Sequence, residues 1–190
     1  MQIAIIGCGF VADFYLKTLP NYPELKLVGV MDKNSERASH FYSYHGVPYY
    51  NSLEELLEDR KVELVVNLTN PRSHFSVSKA CLEAGKHVYS EKPLAMDLAE
   101  AEELVALAEE KGLYISSAPC TFLGETAQTM WKALQEKIVG EVRLVYAEMD
   151  DGMVHQMRYH DWKSESGIPW PYKDEFEVGC TLEHAGYCLT

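Results

Sequence analysis

Positive charge is what this chain has least of. Seventeen Lys and Arg residues stand against 29 Asp and Glu, a formal net charge of −12 at pH 7. Sequence-independent binding to nucleic acid or to an anionic membrane needs a basic surface, so neither partner is expected. The acid is dispersed and forms no tail. No apolar run approaches the roughly 20 residues that cross a bilayer. The apolar start at Ile3 to Ile6 is cut short by Gly7 and Gly9, without the basic flank and small-residue cleavage site of a signal peptide, and a cytoplasmic protein is expected. None of the five cysteines, Cys8, Cys81, Cys120, Cys180 and Cys188, is spaced as Cys-x-x-Cys, which argues against a zinc ribbon and a disulfide framework. Repeats and low-complexity tracts are also missing. What remains is ordinary globular material, 47% hydrophobic and 24% charged.

The first twelve residues carry the sharpest signal. A short apolar strand, Ile3 to Ile6, runs into Gly7-Cys8-Gly9-Phe10-Val11-Ala12, the pattern Gly-x-Gly-x-x-Ala. Gly7 permits the tight turn out of the strand, Gly9 keeps side chains away from a pyrophosphate, and Ala12 lets the helix pack closely on the strand. A second apolar run, Leu25 to Met31, ends on Asp32, 20 residues after Ala12. A carboxylate there is placed to accept from the hydroxyls of an adenosine ribose and to repel a 2′-phosphate, which favours NAD over NADP. Lys33 weakens that preference, because its ammonium offers a partner to such a phosphate, and NADP stays possible.

Beyond Asp32 the pattern alternates between helix and strand to about residue 118. Asn34 is expected to cap a helix through Tyr44, and Ser52 one over Leu53 to Leu57. Val62 to Leu68 reads as a strand buried on both faces, broken by Thr69, Asn70 and Pro71. Val77, Ala80, Cys81 and Ala84 recur at helical spacing, and Lys86 to Ser90 is the next strand. Asp97 to Lys111 is an amphipathic helix, Tyr114 to Ala118 a strand and Glu125 to Lys137 a helix. This order predicts an α/β fold, a doubly wound parallel Rossmann sheet over 1–120. Residues 121–190 are expected to begin an incomplete α+β second domain, with a strand from Glu141 to Met149 in which Val142, Leu144 and Tyr146 alternate as apolar positions, an aperiodic stretch from Asp150 to Glu177, and a helix from Cys180. Because the chain stops inside that helix, exposed apolar surface and a homo-oligomer are expected.

Gly7 to Ala12, Asp32, Thr69-Asn70-Pro71 with His74, and Ala84-Gly85-Lys86-His87-Val88 leading to Glu91-Lys92-Pro93 together resemble the glucose-fructose oxidoreductase, inositol dehydrogenase and MocA family. The resemblance covers residues 1 to 149. It implies an N-terminal domain that binds NAD or NADP through Gly7, Cys8, Gly9, Phe10, Val11, Asp32, Lys33, Thr69, Asn70, Pro71, His74, Glu91 and Lys92. It also implies a hydride transfer to or from a hydroxyl or keto carbon of a sugar, cyclitol or nucleotide sugar. Lys92 then falls where the family's lysine meets the nicotinamide and the substrate hydroxyl, and the Lys92–Pro93 peptide where the family has a cis bond. Burial beside a cofactor is expected to lower the Lys92 pKa toward useful acid/base values.

The family's second acid/base element, an aspartate followed four residues later by a histidine, corresponds here to Glu183 and Tyr187. These share a helical face. A phenol has an ordinary pKa near 10 and is a poor base unless a cation such as Lys92 lowers it. His184, about 100° round the helix from Glu183, is the other candidate, and the sequence does not choose between Tyr187 and His184. Trp162, Trp170 and Tyr172 are candidates for a flat apolar wall against a sugar ring. His155, His160 and Asp161 lack ligand spacing, so no metal is expected. The rival expectations are a non-catalytic dinucleotide or sugar sensor on the same fold, and an inactive fragment of such an enzyme.

Overall fold

A computed structural model describes residues 1–146, 148 and 152–189, with side chains described as far as Tyr187. Five strands, β1 (Gln2–Ile6), β2 (Lys26–Met31), β3 (Leu64–Asn67), β4 (His87–Ser90) and β5 (Ile115–Ser117), pair in the order β2-β1-β3-β4-β5. Every pairing is parallel. The order reverses at β1, so the C-terminal ends of β1 and β3 open the crevice where such sheets bind ligands.

Side-chain alternation divides the core in two. Ala4 and Ile6 of β1 and Val65 of β3 face one layer, with Leu56, Cys81, Leu82, Leu104 and Ala108. Ile3, Ile5 and Val66 face the other, with Ala12 and Phe41. Helices α3 (Leu53–Glu58), α4 (Pro71–Glu83) and α5 (Leu98–Lys111) cover the first face, and α1 (Phe10–Thr18) and α2 (Ser35–His45) the second. Asn34 and Ser52 cap as the sequence predicts, and Asp97, read as the first helical residue, is a cap as well. The Asn34 side chain accepts from the N–H groups of Glu36 and Arg37, that of Ser52 from Glu55, and that of Asp97 from Ala99. Buried Lys86 is part of the frame, its Nζ donating to the carbonyls of Asp59 and Val62 at 2.8 and 2.9 Å.

After β5 the chain changes character. Helix α6 (Glu125–Gln135) leaves Met130 and Trp131 exposed. The strand expected over Glu141 to Met149 is not formed in the described residues 141–146 and 148. A strand exists only by pairing, and the described residues hold no strand beside it. Val142, Leu144 and Tyr146, expected on one sheet face, are all exposed. The stretch read as aperiodic holds two short 3₁₀ turns, Val154–Gln156 and Tyr159–Asp161, and a helix, α7 (Tyr172–Val178). Tyr159 organises them, its ring centroid 5.2 Å from Tyr172 and 5.0 Å from Phe176. Gly179, at φ +79°, then turns the chain into α8 (Cys180–Leu189). The segment beyond the sheet is thus helical and looped in its described residues, with a single β-bridge, Lys163 to Pro169.

Candidate active site

Two adjoining cavities lie over the C-terminal ends of β1 and β3, about 470 and 260 Å³, and both are lined by Gly9, Arg37, Thr69 and Asn70. The glycine fingerprint forms their shared floor. Gly7 has φ +102°, and a Cβ there would stand 2.4 Å from the Leu68 carbonyl oxygen, so only glycine lets β1 and the β3 loop approach this closely. At Gly9 the reason is different. A Cβ would meet no protein atom within 4 Å and would project into open space, so the residue leaves room for something other than protein. Gly9 is also the N-cap of α1 and no side chain caps that helix. The first N–H groups of α1, at Phe10 and Val11, have no intrahelical acceptor and point their dipole at the floor, an arrangement suited to a pyrophosphate.

Asp32 directly follows β2 at the smaller cavity and is buried. Its Oδ2 accepts from the Cys8 N–H at 2.9 Å and its Oδ1 from the Asn34 N–H at 2.8 Å. The buried Cys8 thus serves the site through its backbone, fixing Asp32, while burial pushes its thiol up to about 12. Arg37, which the sequence reasoning passed over, reaches Asp32 Oδ2 at 3.5 Å and lines both cavities. Its position five residues past Asp32, in the first turn of α2, was the available signal. Lys33 is exposed at the rim of the smaller cavity.

The β3 loop is set by Asn67, also missed. Its buried amide donates to the His74 carbonyl and Ser78 Oγ, and its Oδ1 accepts from the backbone and hydroxyl of Thr69. His74 is buried, with Nδ1 2.6 Å from the Pro93 carbonyl and Nε2 2.8 Å from that of Thr69. Its ring therefore ties the Thr69 loop to the Lys92–Pro93 turn, and burial holds its pKa below the ordinary value. The Lys92–Pro93 peptide is cis. Glu91 accepts from the Tyr15 hydroxyl at 2.7 Å and from the Lys92 N–H at 3.1 Å, which fixes the turn from the α1 side.

In the larger cavity Lys92 forms an ion pair with Glu183, and both side chains are largely buried. The Tyr187 ring centroid lies 5.7 Å from Lys92 Nζ, and both line the cavity. His184 stands beside Tyr187, ring to ring at 6.4 Å. One electrostatic expectation is reversed. Burial pulls the Lys92 pKa down, but the hydrogen bond and charge of Glu183, with Tyr187 and Glu175 adding, outweigh it, and Lys92 is held as an ammonium. Burial, and the charges of Glu91, Glu183 and Glu175, raise the Tyr187 phenol against the pull of Lys92. Tyr187 is therefore a proton-bearing hydrogen-bond donor at neutral pH.

Trp170 and Tyr172 line the cavity wall. Trp162 packs behind them, 5.1 Å from Trp170. His160 packs on Tyr159 and Asp161 pairs with Arg158. Polar contacts tie the segment beyond the sheet to the sheet part, among them Ser166 to Asp13 and His40, Asn70 to Asp174, Arg72 to Glu177, and Lys92 to Glu183.

A parallel sheet with this floor and an acidic β2 end defines a dinucleotide-binding domain. The sequence model described as "Oxidoreductase family, NAD-binding Rossmann fold", the Gfo/Idh/MocA family, matches residues 1–118, and the chain belongs to that family. Trans-1,2-dihydrobenzene-1,2-diol dehydrogenase of Macaca fuscata fuscata is 32% identical over 168 residues, 88% of this chain and 49% of that protein. The chain thus spans about half the length of this relative. Among solved structures, the WlbA dehydrogenase of Chromobacterium violaceum, in complex with NADH and UDP-GlcNAcA, is 26% identical with a TM-score of 0.66, covering 72% of this chain and 40% of that one. A mutant of KijD10, a 3-ketoreductase from Actinomadura kijaniata in complex with TDP-benzene and NADP, is 30% identical with a TM-score of 0.65, covering 75% and 44%. No helix among the described residues is long and apolar enough to cross a membrane.

Proposed function

We propose that this chain forms the cofactor half and the reacting centre of an NAD(P)-dependent oxidoreductase acting on a hydroxyl or keto carbon of a sugar, cyclitol or nucleotide sugar. The observation that carries the reading is Lys92, held as an ammonium by Glu183 in a cavity that opens on the glycine floor. Phe10 and Val11 N–H groups would hold the pyrophosphate, Asp32 the adenosine ribose, and the Thr69 loop with Glu91 and Lys92 the nicotinamide end. The bound dinucleotide supplies or takes up hydride. Lys92 donates to the substrate oxygen and polarises it, and Tyr187 adds a second donor from α8. Of the two helical candidates Tyr187 is favoured over His184, since it lines the cavity beside Lys92.

NADP is admitted beside NAD. Arg37 neutralises part of the Asp32 charge, and Lys33 stands next to it, so a 2′-phosphate meets cations as well as the carboxylate. Trp170 and Tyr172 give the substrate side an apolar wall suited to a sugar ring. The exposed Met130, Trp131, Ile138, Val139 and Leu144 support the expected self-association.

The test is turnover of a panel of nucleotide sugars, cyclitols and dihydrodiols with NAD and NADP. A panel member is expected to be converted, and Lys92→Ala to cut turnover about 10²- to 10⁴-fold while dinucleotide binding is retained. Turnover unchanged in Lys92→Ala would remove Lys92 from the chemistry. Binding without any turnover would favour a sensor on the same fold or an inactive fragment.

A further inference from the structure

Glu175, which neither the motif spacing nor the family resemblance marks, stands against the Lys92–Glu183 pair. It sits on α7, four residues before Gly179, and the turn at Gly179 folds α8 back so that Glu175 meets Glu183. Glu183 Oε1 accepts from Lys92 Nζ. Its other oxygen, Oε2, is buried with no donor, and so is Oε2 of Glu175. Two buried carboxylate oxygens without donors, on side chains that touch, are incompatible with two full charges. One proton between them supplies the missing donor.

We propose that Glu175 and Glu183 share one proton, held chiefly on Glu175, and that Glu175 is a positioning residue whose proton keeps the Glu175–Glu183–Lys92 set neutral and resupplies Lys92. The groups facing Glu175 agree with this. Glu183 and Tyr187 face it from α8, Lys92 from the turn after β4, and Asp174 from its own helix. With Glu175 ionised, the Glu175–Glu183–Lys92 set carries one net negative charge; with Glu175 protonated it carries none. Burial, the hydrogen bond and charge of Glu183, and the charge of Asp174 push Glu175 up to about 8 against the pull of Lys92.

The role in turnover rests on the function proposed above, whereas the shared proton does not. When a substrate carbonyl carbon gains hydride from the reduced dinucleotide, its oxygen takes a proton from Lys92 Nζ. Lys92 then takes a proton from Glu183 as Glu183 takes one from Glu175, leaving an ammonium and two carboxylates. Bulk water returns the missing proton to Glu175. Oxidation of a hydroxyl runs the same transfers in reverse.

The experiment is a titration followed by NMR of the 190-residue protein labelled with ¹³C at its glutamate carboxyls, without cofactor or substrate. One carboxyl signal is expected to titrate with a midpoint near 8, and to be missing in Glu175→Gln. In Glu183→Gln, which removes the like charge, the same signal is expected to move down toward the ordinary carboxylate range. Ordinary titration of every glutamate, or survival of the high signal in Glu175→Gln, would overturn the shared proton. If Glu175→Gln does not fold, the wild-type and Glu183→Gln titrations decide the matter. For the role in turnover, kcat is expected to show an ionisation near pH 8 that disappears in Glu175→Gln with KM unchanged. Its persistence in that variant would overturn the role and leave the shared proton standing.

Discussion

The two parts of this chain are held in place by different forces. Among the described residues, every buried hydrophobic side chain lies between Ile3 and Ala108, and only Ser164 and Ser166 are buried beyond them. The sheet part is close-packed on two faces, and its geometry follows from hydrophobic burial and ladder register. The later part rests on hydrogen bonds and ion pairs to residues that include Asp13, Lys17, His40, Asn70, Arg72 and Lys92. Its one dense element is the aromatic cluster around Tyr159, which packs on itself. The floor that receives a dinucleotide therefore stands on rigid packing, and the chemistry beside Lys92 depends on a segment whose attachment is electrostatic.

The sharpest contrast is a pair of truncations. Leu104→Ala, in the fully buried core, is expected to cost about 2–5 kcal/mol, whereas Trp131→Gln on exposed α6 is expected to change stability by less than about 0.5 kcal/mol. Urea unfolding of both variants checks this. A Trp131 cost near that of Leu104 would mean that α6 is packed and that the contrast is wrong.

A smaller effect is expected at the seam. Asp13 Oδ2 accepts from the Ser166 N–H at 2.9 Å and Oγ at 2.7 Å, and Oδ1 lies 2.7 Å from His45 Nε2. Asp13→Ala leaves buried donors unmatched and is expected to cost about 1–3 kcal/mol. Burial raises the Asp13 pKa, but the hydrogen bonds from Ser164, Ser166 and His45 prevail and hold it below the ordinary value. A depressed carboxyl pKa contributes stability above its unfolded-state pKa, and that stability is lost as pH falls through the folded-state pKa. Acid is thus expected to loosen residues 164–168 below the usual carboxylate range. Amide exchange at Ser166 and Ile168 in wild type and Asp13→Ala checks this. Equal protection in both proteins would mean that Asp13 is not the clasp.

The sheet part was legible in the sequence because each of its signals is local. Gly7, Gly9 and Ala12 carry their reason in their spacing, Asn34, Ser52 and Asp97 cap the helices they precede, and the strands are short apolar runs between breakers. Lys92, Glu183 and Tyr187 were found through the resemblance, and the structure brings them together. What stayed hidden depends on distant partners. Arg37 matters because its side chain returns to Asp32, Asn67 because a turn forms around its amide, and Glu175 because Gly179 folds one helix onto the next. The expected lowering of the Lys92 pKa failed for the same reason, since Glu183, with Tyr187 and Glu175 adding, sets its sign. Alternation at Val142, Leu144 and Tyr146 suggested a strand, but alternation does not provide a neighbour to pair with.

The most direct test of the account is a fluorescence titration of the 190-residue protein with NADH and with NADPH, beside Asp32→Ala and Arg37→Ala. Saturable binding of both is expected. Asp32→Ala should weaken NADH by about 10-fold or more, as the loss of a charged hydrogen bond requires, and Arg37→Ala should weaken NADPH more than NADH. Absence of binding to either dinucleotide, or binding indifferent to Asp32, would contradict the assignment of this floor as the cofactor site.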